Sequence, residues 1–161
     1  MFETSGTEPQ MTMTDGERRL NSAAETLAFG RSLATDLRGG DLLLLHGPLG
    51  AGKTVVAQGV AEGLGAATWR GSPTFALVNE YETAPRLVHL DLYRLTANEV
   101  EGLGLDDYMG YDTILVCEWP ERADGYLRAL AYRSVIDVRL AHTGGDERLC
   151  VVSVSRARDT G

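Results

Sequence analysis

The sequence predicts an α/β protein of three layers, built around a central mixed β-sheet and closed by a C-terminal β-hairpin. Three observations predict it. Asp41 to His46 (DLLLLH) is a short, nearly all-apolar run, the composition of a strand covered on both faces; it passes directly into a glycine-rich stretch and then a helical one. Thr113 to Cys117 (TILVC) repeats the buried-strand composition further on. Ser134 to Ala141 and Arg148 to Ser155 flank Thr143-Gly144-Gly145-Asp146, a clear hairpin signal.

Met1 to roughly Asn21 is polar, without the apolar core of a signal peptide. Residues 1–20 are expected to be a disordered tail, with Met11 and Met13 as alternative starts. One domain should then span residues 21–156, followed by a short tail at 157–161. Ser22-Ala23-Ala24-Glu25 has the form of a capping box, and Ala23, Leu27, Gly30, Ala34 and Leu37 follow at helical spacing. The first helix therefore runs from about Ala23 to Leu37. A second helix is expected from Lys53 to Leu64, closed by Gly65. Phe75 to Glu82 and Leu87 to Leu92 read as strands joined near Ala84-Pro85-Arg86. Thr96-Ala97-Asn98-Glu99 opens a short helix that fades around Gly102 to Gly104.

At 161 residues, with 43% hydrophobic and 24% charged content, the chain has the size and composition of one ordinary globular domain. Its net charge of −8 argues against unaided binding of a DNA or RNA backbone, which needs a basic patch. No apolar run approaches the roughly 20 residues of a membrane span. Cys117 and Cys150 each sit inside an apolar run with no metal-ligand spacing between them, as expected of buried, reduced thiols. A cytoplasmic protein is expected.

Lys53 is the only lysine among 15 basic side chains, and it stands in Gly47-Pro48-Leu49-Gly50-Ala51-Gly52-Lys53-Thr54. This is the phosphate-cradling pattern G-x-x-x-x-G-K-[ST], in the required setting of strand, loop and helix. Its glycines let the backbone curl so that successive N–H groups meet one anion. The helix beginning near Lys53 aims its positive end at the same place. A compact ammonium on a flexible stem reaches between phosphates where a wide guanidinium fork does so poorly. Thr54 would place its hydroxyl on Mg²⁺. The expected fold is accordingly P-loop NTPase-like.

Such a loop needs a carboxylate from a neighbouring strand to organise the metal and the attacking water, and two stand at strand positions. In Val88-His89-Leu90-Asp91-Leu92-Tyr93, alternation places His89, Asp91 and Tyr93 on one face; the plainer reading makes that face the wet side of an amphipathic strand. Glu118 directly follows the apolar run ending at Cys117, at the carboxyl end of a strand, where α/β sheets form nucleotide sites. The plainer reading there is a simple strand-end charge. Ser72-Pro73-Thr74-Phe75 lies where a segment sensing the γ-phosphate would sit, or is an ordinary loop. Trp119 belongs to a residue type more common in cores and interfaces than against nucleotides, and is kept as a candidate nucleotide sensor. His89 fits a structural role as well as a proton shuttle.

Together these segments resemble the TsaE family (also called YjeE), small bacterial ATPases required for making threonylcarbamoyladenosine in tRNA. The resemblance covers nearly the whole chain, from about Ser22 to Val152. It rests on Glu25-Thr26-Leu27 with Gly30, Leu49 to Thr54, Ser72-Pro73-Thr74-Phe75 with Leu77-Val78, His89-Leu90-Asp91-Leu92-Tyr93-Arg94-Leu95 and Glu118-Trp119-Pro120-Glu121. The loop alone is shared by many families; the H-x-D-L-Y-R-L and E-W-P-E strings are far more specific. The resemblance implies ATP on Gly50, Ala51, Gly52, Lys53, Thr54 and Val55, with Mg²⁺ held by Thr54 and Glu118. Lys53, Asp91 and Glu118 would form the catalytic set, Asp91 supporting the metal or the water, and Ser72, Pro73 and Thr74 would act as a switch-like segment. It also implies work with the TsaB–TsaD pair, which transfers threonylcarbamoyl to adenosine 37 of tRNAs reading codons beginning with A; tRNA would be met only through that complex. Pro48 and Cys117 depart from the family pattern without touching these groups.

Two other functions compete. A small-molecule kinase shares this size and loop but usually carries an arginine-rich lid, whereas the arginines here are scattered, with Arg128, Arg133 and Arg139 the only local group. A non-hydrolysing, nucleotide-gated binding module is the other. A GTPase with an Asn-Lys-x-Asp base-reading motif is excluded by the single lysine.

Overall fold

The computed structural model describes residues 14–73 and 77–156. In chain order its elements are β1 (Gly16–Leu20), α1 (Ala23–Asp36), β2 (Leu42–His46), α2 (Lys53–Gly63), β3 (Val78–Tyr81), β4 (Arg86–Asp91), α3 (Ala97–Glu101), β5 (Thr113–Glu118), α4 (Asp124–Arg128), β6 (Ser134–Gly144) and β7 (Glu147–Arg156). Single turns of 3₁₀ helix at Leu105–Asp107 and Pro120–Ala123 lead into β5 and α4 respectively.

The strands form one mixed sheet in the order β1-β7-β6-β2-β5-β4-β3. β2 lies parallel to both β5 and β6, and β4 parallel to β5, while β1, β7 and β3 pair antiparallel at the two sides. Parallel strands must be covered on both faces, and β2 shows how. Leu43 and Leu45 join Phe29, Leu33, Val56 and Val60 of α1 and α2. Leu42 and Leu44 face the other way, onto Val100, Leu105 and Leu127. All four leucines are fully buried. The three-layer α/β architecture expected from the sequence is the one observed.

α1 and α2 approach closely because two glycines meet at their crossing. A Cβ at Gly30 would lie 2.4 Å from the Val56 carbonyl oxygen, and one at Gly59 would lie 2.8 Å from the Gly30 Cα. Ser22 caps α1 by accepting the Glu25 amide at 3.1 Å, and the Glu25 carboxylate reaches back to the Asn21 amide. The capping box of Thr96 and Glu99 is complete at α3. Both cysteines are free and buried; burial pushes the Cys150 thiol up to about 11 and raises that of Cys117 as well.

One expectation is corrected. Gly16–Leu20, assigned to the N-terminal tail, is strand β1, an edge strand with only Leu20 buried. Its polar composition (GERRL) carries no strand signal of its own; its backbone pairing with β7 makes it a strand. The strand expected from Phe75 is described from Val78, since Thr74, Phe75 and Ala76 lie outside the described residues, as do residues 1–13 and 157–161.

Candidate functional site

The loop between β2 and α2 turns on glycines in the left-handed region. Gly52, with φ of 105°, serves as the N-cap of α2, a geometry that L side chains avoid. Gly47 also has positive φ (152°), and a Cβ there would lie 2.7 Å from the Leu140 carbonyl oxygen. The loop thus rests against β6, with the α2 amino terminus opening into a cleft. Leu49 to Val55 line one side of that cleft; Ser72, Asp91, Glu118 and Trp119 line the other.

Lys53 is buried, its Nζ donating to the Gly47 carbonyl at 2.5 Å and lying 3.2 Å from the centroid of the Trp119 ring. Burial lowers its pKa below the ordinary lysine value, against the opposing pull of the Glu118, Glu121 and Asp91 carboxylates. Trp119 holds its position under the ammonium at the cost of a left-handed backbone, φ 59° and ψ 47°, worth about 1–3 kcal/mol for a residue of this kind. Its ring also packs against Tyr93, centroid to centroid 4.9 Å.

Parallel register brings the two carboxylates together, because Asp91 at the end of β4 pairs with Glu118 at the end of β5. The side chains then take separate partners. Glu118 accepts the Thr54 hydroxyl at 2.7 Å on Oε1, and its Oε2 lies 2.7 Å from His89 Nε2. Asp91 accepts the Ser72 hydroxyl at 2.8 Å and the Tyr93 amide at 3.0 Å. So Glu118 is tied to the phosphate loop and Asp91 to the segment at Ser72. Pro73 is buried beside it, and Thr74 lies outside the described residues.

The wet-face reading of β4 holds at Tyr93, in part at Asp91, and fails at His89. His89 is fully buried, stacked by Trp69 at 5.5 Å between ring centroids, and Trp69 in turn stacks on Tyr81 at 5.7 Å. Alternation did place His89, Asp91 and Tyr93 on one face; Trp69 covers His89 there, while Asp91 lines the cleft half-buried and Tyr93 is exposed. The Nδ1 of His89 has no hydrogen-bond partner among the described residues. A buried Nε2–H directed at Glu118 holds that carboxylate from beneath, leaving its other oxygen to the loop threonine. Two parts of this arrangement were missed from sequence. The His89–Glu118 bond joins strands through register, and Arg148 reaches the carbonyls of Gly50 and Ala51 from the far hairpin; neither has a local signature.

The donor set is made of hard oxygens: a hydroxyl and a carboxylate in contact, with a second carboxylate in the neighbouring strand. That chemistry suits Mg²⁺, which takes one or two protein oxygens and completes its shell with phosphate and water.

A family model described as "Threonylcarbamoyl adenosine biosynthesis protein TsaE" matches residues 20–150. A curated relative from Streptomyces coelicolor, named tRNA threonylcarbamoyladenosine biosynthesis protein TsaE, is 40% identical over 130 residues, covering 78% of this chain and 87% of its own length. A Synechocystis protein of the same name is 50% identical over 99 residues, a match spanning 58% of this chain and 63% of that relative. Among solved structures, that of Bacillus subtilis YdiB superposes with a TM-score of 0.70 at 31% identity, covering 89% of this chain and 87% of the other.

Proposed function

The chain belongs to the TsaE family of tRNA threonylcarbamoyladenosine biosynthesis proteins, and from that premise we propose that it is a Mg²⁺-dependent ATPase whose turnover serves the TsaB–TsaD pair. The observation that carries the reading is the chain of contacts from Thr54 to Glu118 to His89 beneath a glycine loop that opens onto the start of a helix. A binding loop alone needs no buried carboxylate wired to its threonine.

The phosphates of ATP would lie along the loop from Gly50 to Val55, where the N–H groups at the α2 amino terminus favour an anion, the Ala51 N–H being already given to the Pro48 oxygen. Lys53 would leave the Gly47 carbonyl and Trp119 ring to meet the β- and γ-phosphates, offsetting charge that grows on them during transfer. When bound by Thr54 and Glu118, Mg²⁺ would neutralise phosphate charge and act as a Lewis acid. Asp91, one strand over and bonded to Ser72, is suited to orient the attacking water and to couple it to the Ser72–Thr74 segment. Among the described residues Lys53 is the cation on the phosphate-loop side of the cleft, and Arg94 lines the adjoining hollow with Ser72, Asp91 and Trp119. With no arginine among the described residues lining the cleft at the loop itself, slow hydrolysis alone and completion by a partner are the expected behaviour.

The test is ATP turnover by this protein alone, with the partner pair, and with the pair plus tRNA. Stimulation by the pair supports the reading; equal turnover in all three removes the coupling. Phosphate appearing on a small-molecule acceptor would replace it with a kinase, and binding without turnover under every condition would leave a nucleotide-gated module.

A further inference from the structure

Arg148, at the start of β7, uses its guanidinium on backbone carbonyls alone. Its Nε donates to the Ala51 oxygen at 2.9 Å and its Nη2 to the Gly50 oxygen at 3.1 Å, both on the phosphate loop. Its Nη1 donates to the oxygens of Gly145 and Glu147 at 2.7 and 2.8 Å, both in the hairpin turn. The side chain is half-buried. Among the described residues it forms no direct ion pair with a carboxylate, although Asp146 lines the same small hollow against Gly50 and Gly52.

A trans peptide is planar, and its C=O and N–H point in opposite directions. Fixing the Ala51 carbonyl against Arg148 therefore turns the Gly52 N–H away from the hairpin and toward the cleft. Fixing the Gly50 carbonyl sets the preceding peptide, whose Ala51 N–H closes the turn onto the Pro48 oxygen at 3.1 Å. His142, on the opposite strand of the same hairpin, has its Nε2 3.5 Å from the Leu49 oxygen. Three consecutive loop carbonyls thus face the hairpin. Glycines at 47, 50 and 52 leave the loop free to curl and equally free to uncurl, so its anion-binding form needs an outside template.

We propose that Arg148 is a positioning residue for the anion cradle, the hairpin β6–β7 being the splint that holds the phosphate loop in its binding form. It touches no phosphate itself. It acts through the two peptides it pins, and its charge adds a favourable field at the β-phosphate position. This rests on the ATP-binding reading above.

The test is calorimetric titration of ATP and of ADP into wild type, Arg148→Lys and Arg148→Gln, with saturated turnover and thermal unfolding of each. Loss of Arg148→Gln affinity by about tenfold or more is expected, the scale of charge-assisted hydrogen bonds removed. The loss should be equal for ATP and ADP, since both carry the β-phosphate. The loss of affinity should exceed any loss in saturated turnover, because Arg148 acts on the cradle that both nucleotides occupy before transfer begins. Arg148→Lys should fall between, keeping the charge but not the fork that spans two carbonyls. Wild-type affinity in Arg148→Gln overturns the proposal, as does a loss confined to ATP or a fall in saturated turnover with affinity unchanged. If wild type itself binds no ATP, the ATP-binding reading fails instead.

Discussion

The Thr54 hydroxyl donates to Glu118 across 2.7 Å, joining the first turn of α2 to the carboxyl end of β5. The same carboxylate is held from below by His89. Both of its oxygens are thus engaged, one by each neighbour, and the side chain is almost wholly out of water. A carboxylate so held is oriented before any ligand arrives, which is the condition for electrostatic preorganisation.

Glu118→Gln should keep the fold and ATP affinity while lowering turnover by about a hundredfold, the scale of one preorganised polar group. Glu118→Ala should also cost stability, because the buried His89 Nε2 loses its partner, worth about 1–3 kcal/mol. Steady-state turnover, ATP titration and thermal unfolding of the two variants check this. Equal turnover in Glu118→Gln and wild type would remove the residue from the chemistry.

Lys53→Met should abolish ATP binding and yet unfold at a higher temperature than wild type near neutral pH. Burial lowers the Lys53 pKa in the folded protein, so the unfolded chain holds that proton more tightly. Wild-type stability from this group therefore rises with pH from the folded pKa up to the ordinary lysine value, and is lost as pH falls through the folded pKa. The gap between Lys53→Met and wild type should shrink as the pH is raised. Melting temperatures across neutral to alkaline pH test it, and a gap that widens would contradict the burial argument.

Trp119 should report nucleotide through its fluorescence. Lys53 Nζ lies 3.2 Å from its ring centroid, and a phosphate that draws the ammonium away changes the ring's surroundings. In a Trp69→Phe background Trp119 is the remaining one of the two tryptophans. ATP should shift its emission there, whereas Lys53→Met in the same background should show no response. Unchanged emission at saturating ATP would end its candidacy as a sensor.

Asp137 on β6 should contribute to acid stability. Burial raises its pKa, but hydrogen bonds from His46 at 2.6 Å and from Arg128 at 2.7 and 3.1 Å outweigh this and hold it at about 2. A folded pKa below the unfolded one means the stabilisation is complete above the ordinary aspartate range and lost as pH falls toward 2. It is on the order of 2 kcal/mol. Asp137→Asn should lose it at pH 7 and show a flatter stability profile between about pH 4 and 2, read by thermal or urea unfolding. A profile parallel to wild type would refute the assignment.

Much of the site was legible because its signals are local. The phosphate loop, the apolar runs of β2 and β5, and the capping residues Ser22 and Thr96 each depend on contacts within a few positions, so spacing alone reveals them. The side-chain alternation of β4 was legible in the same way. What covered His89 was not: Trp69 lies far from it in sequence, and its stacking makes one position of that face a buried support for Glu118.

The sequence by itself determined that a glycine loop with one lysine would stand between a buried strand and a helix, with two carboxylates at strand ends. Only the tertiary structure decided their wiring. Parallel register set Asp91 beside Glu118 and sent one to Ser72 and the other to Thr54 and His89. Chain pairing at the sheet edge made a strand of the polar Gly16–Leu20. Arg148 reached the loop from 98 positions away. The reason is physical: local order follows from backbone geometry and apolar period, whereas these contacts exist only once packing has brought distant backbone groups within hydrogen-bond reach.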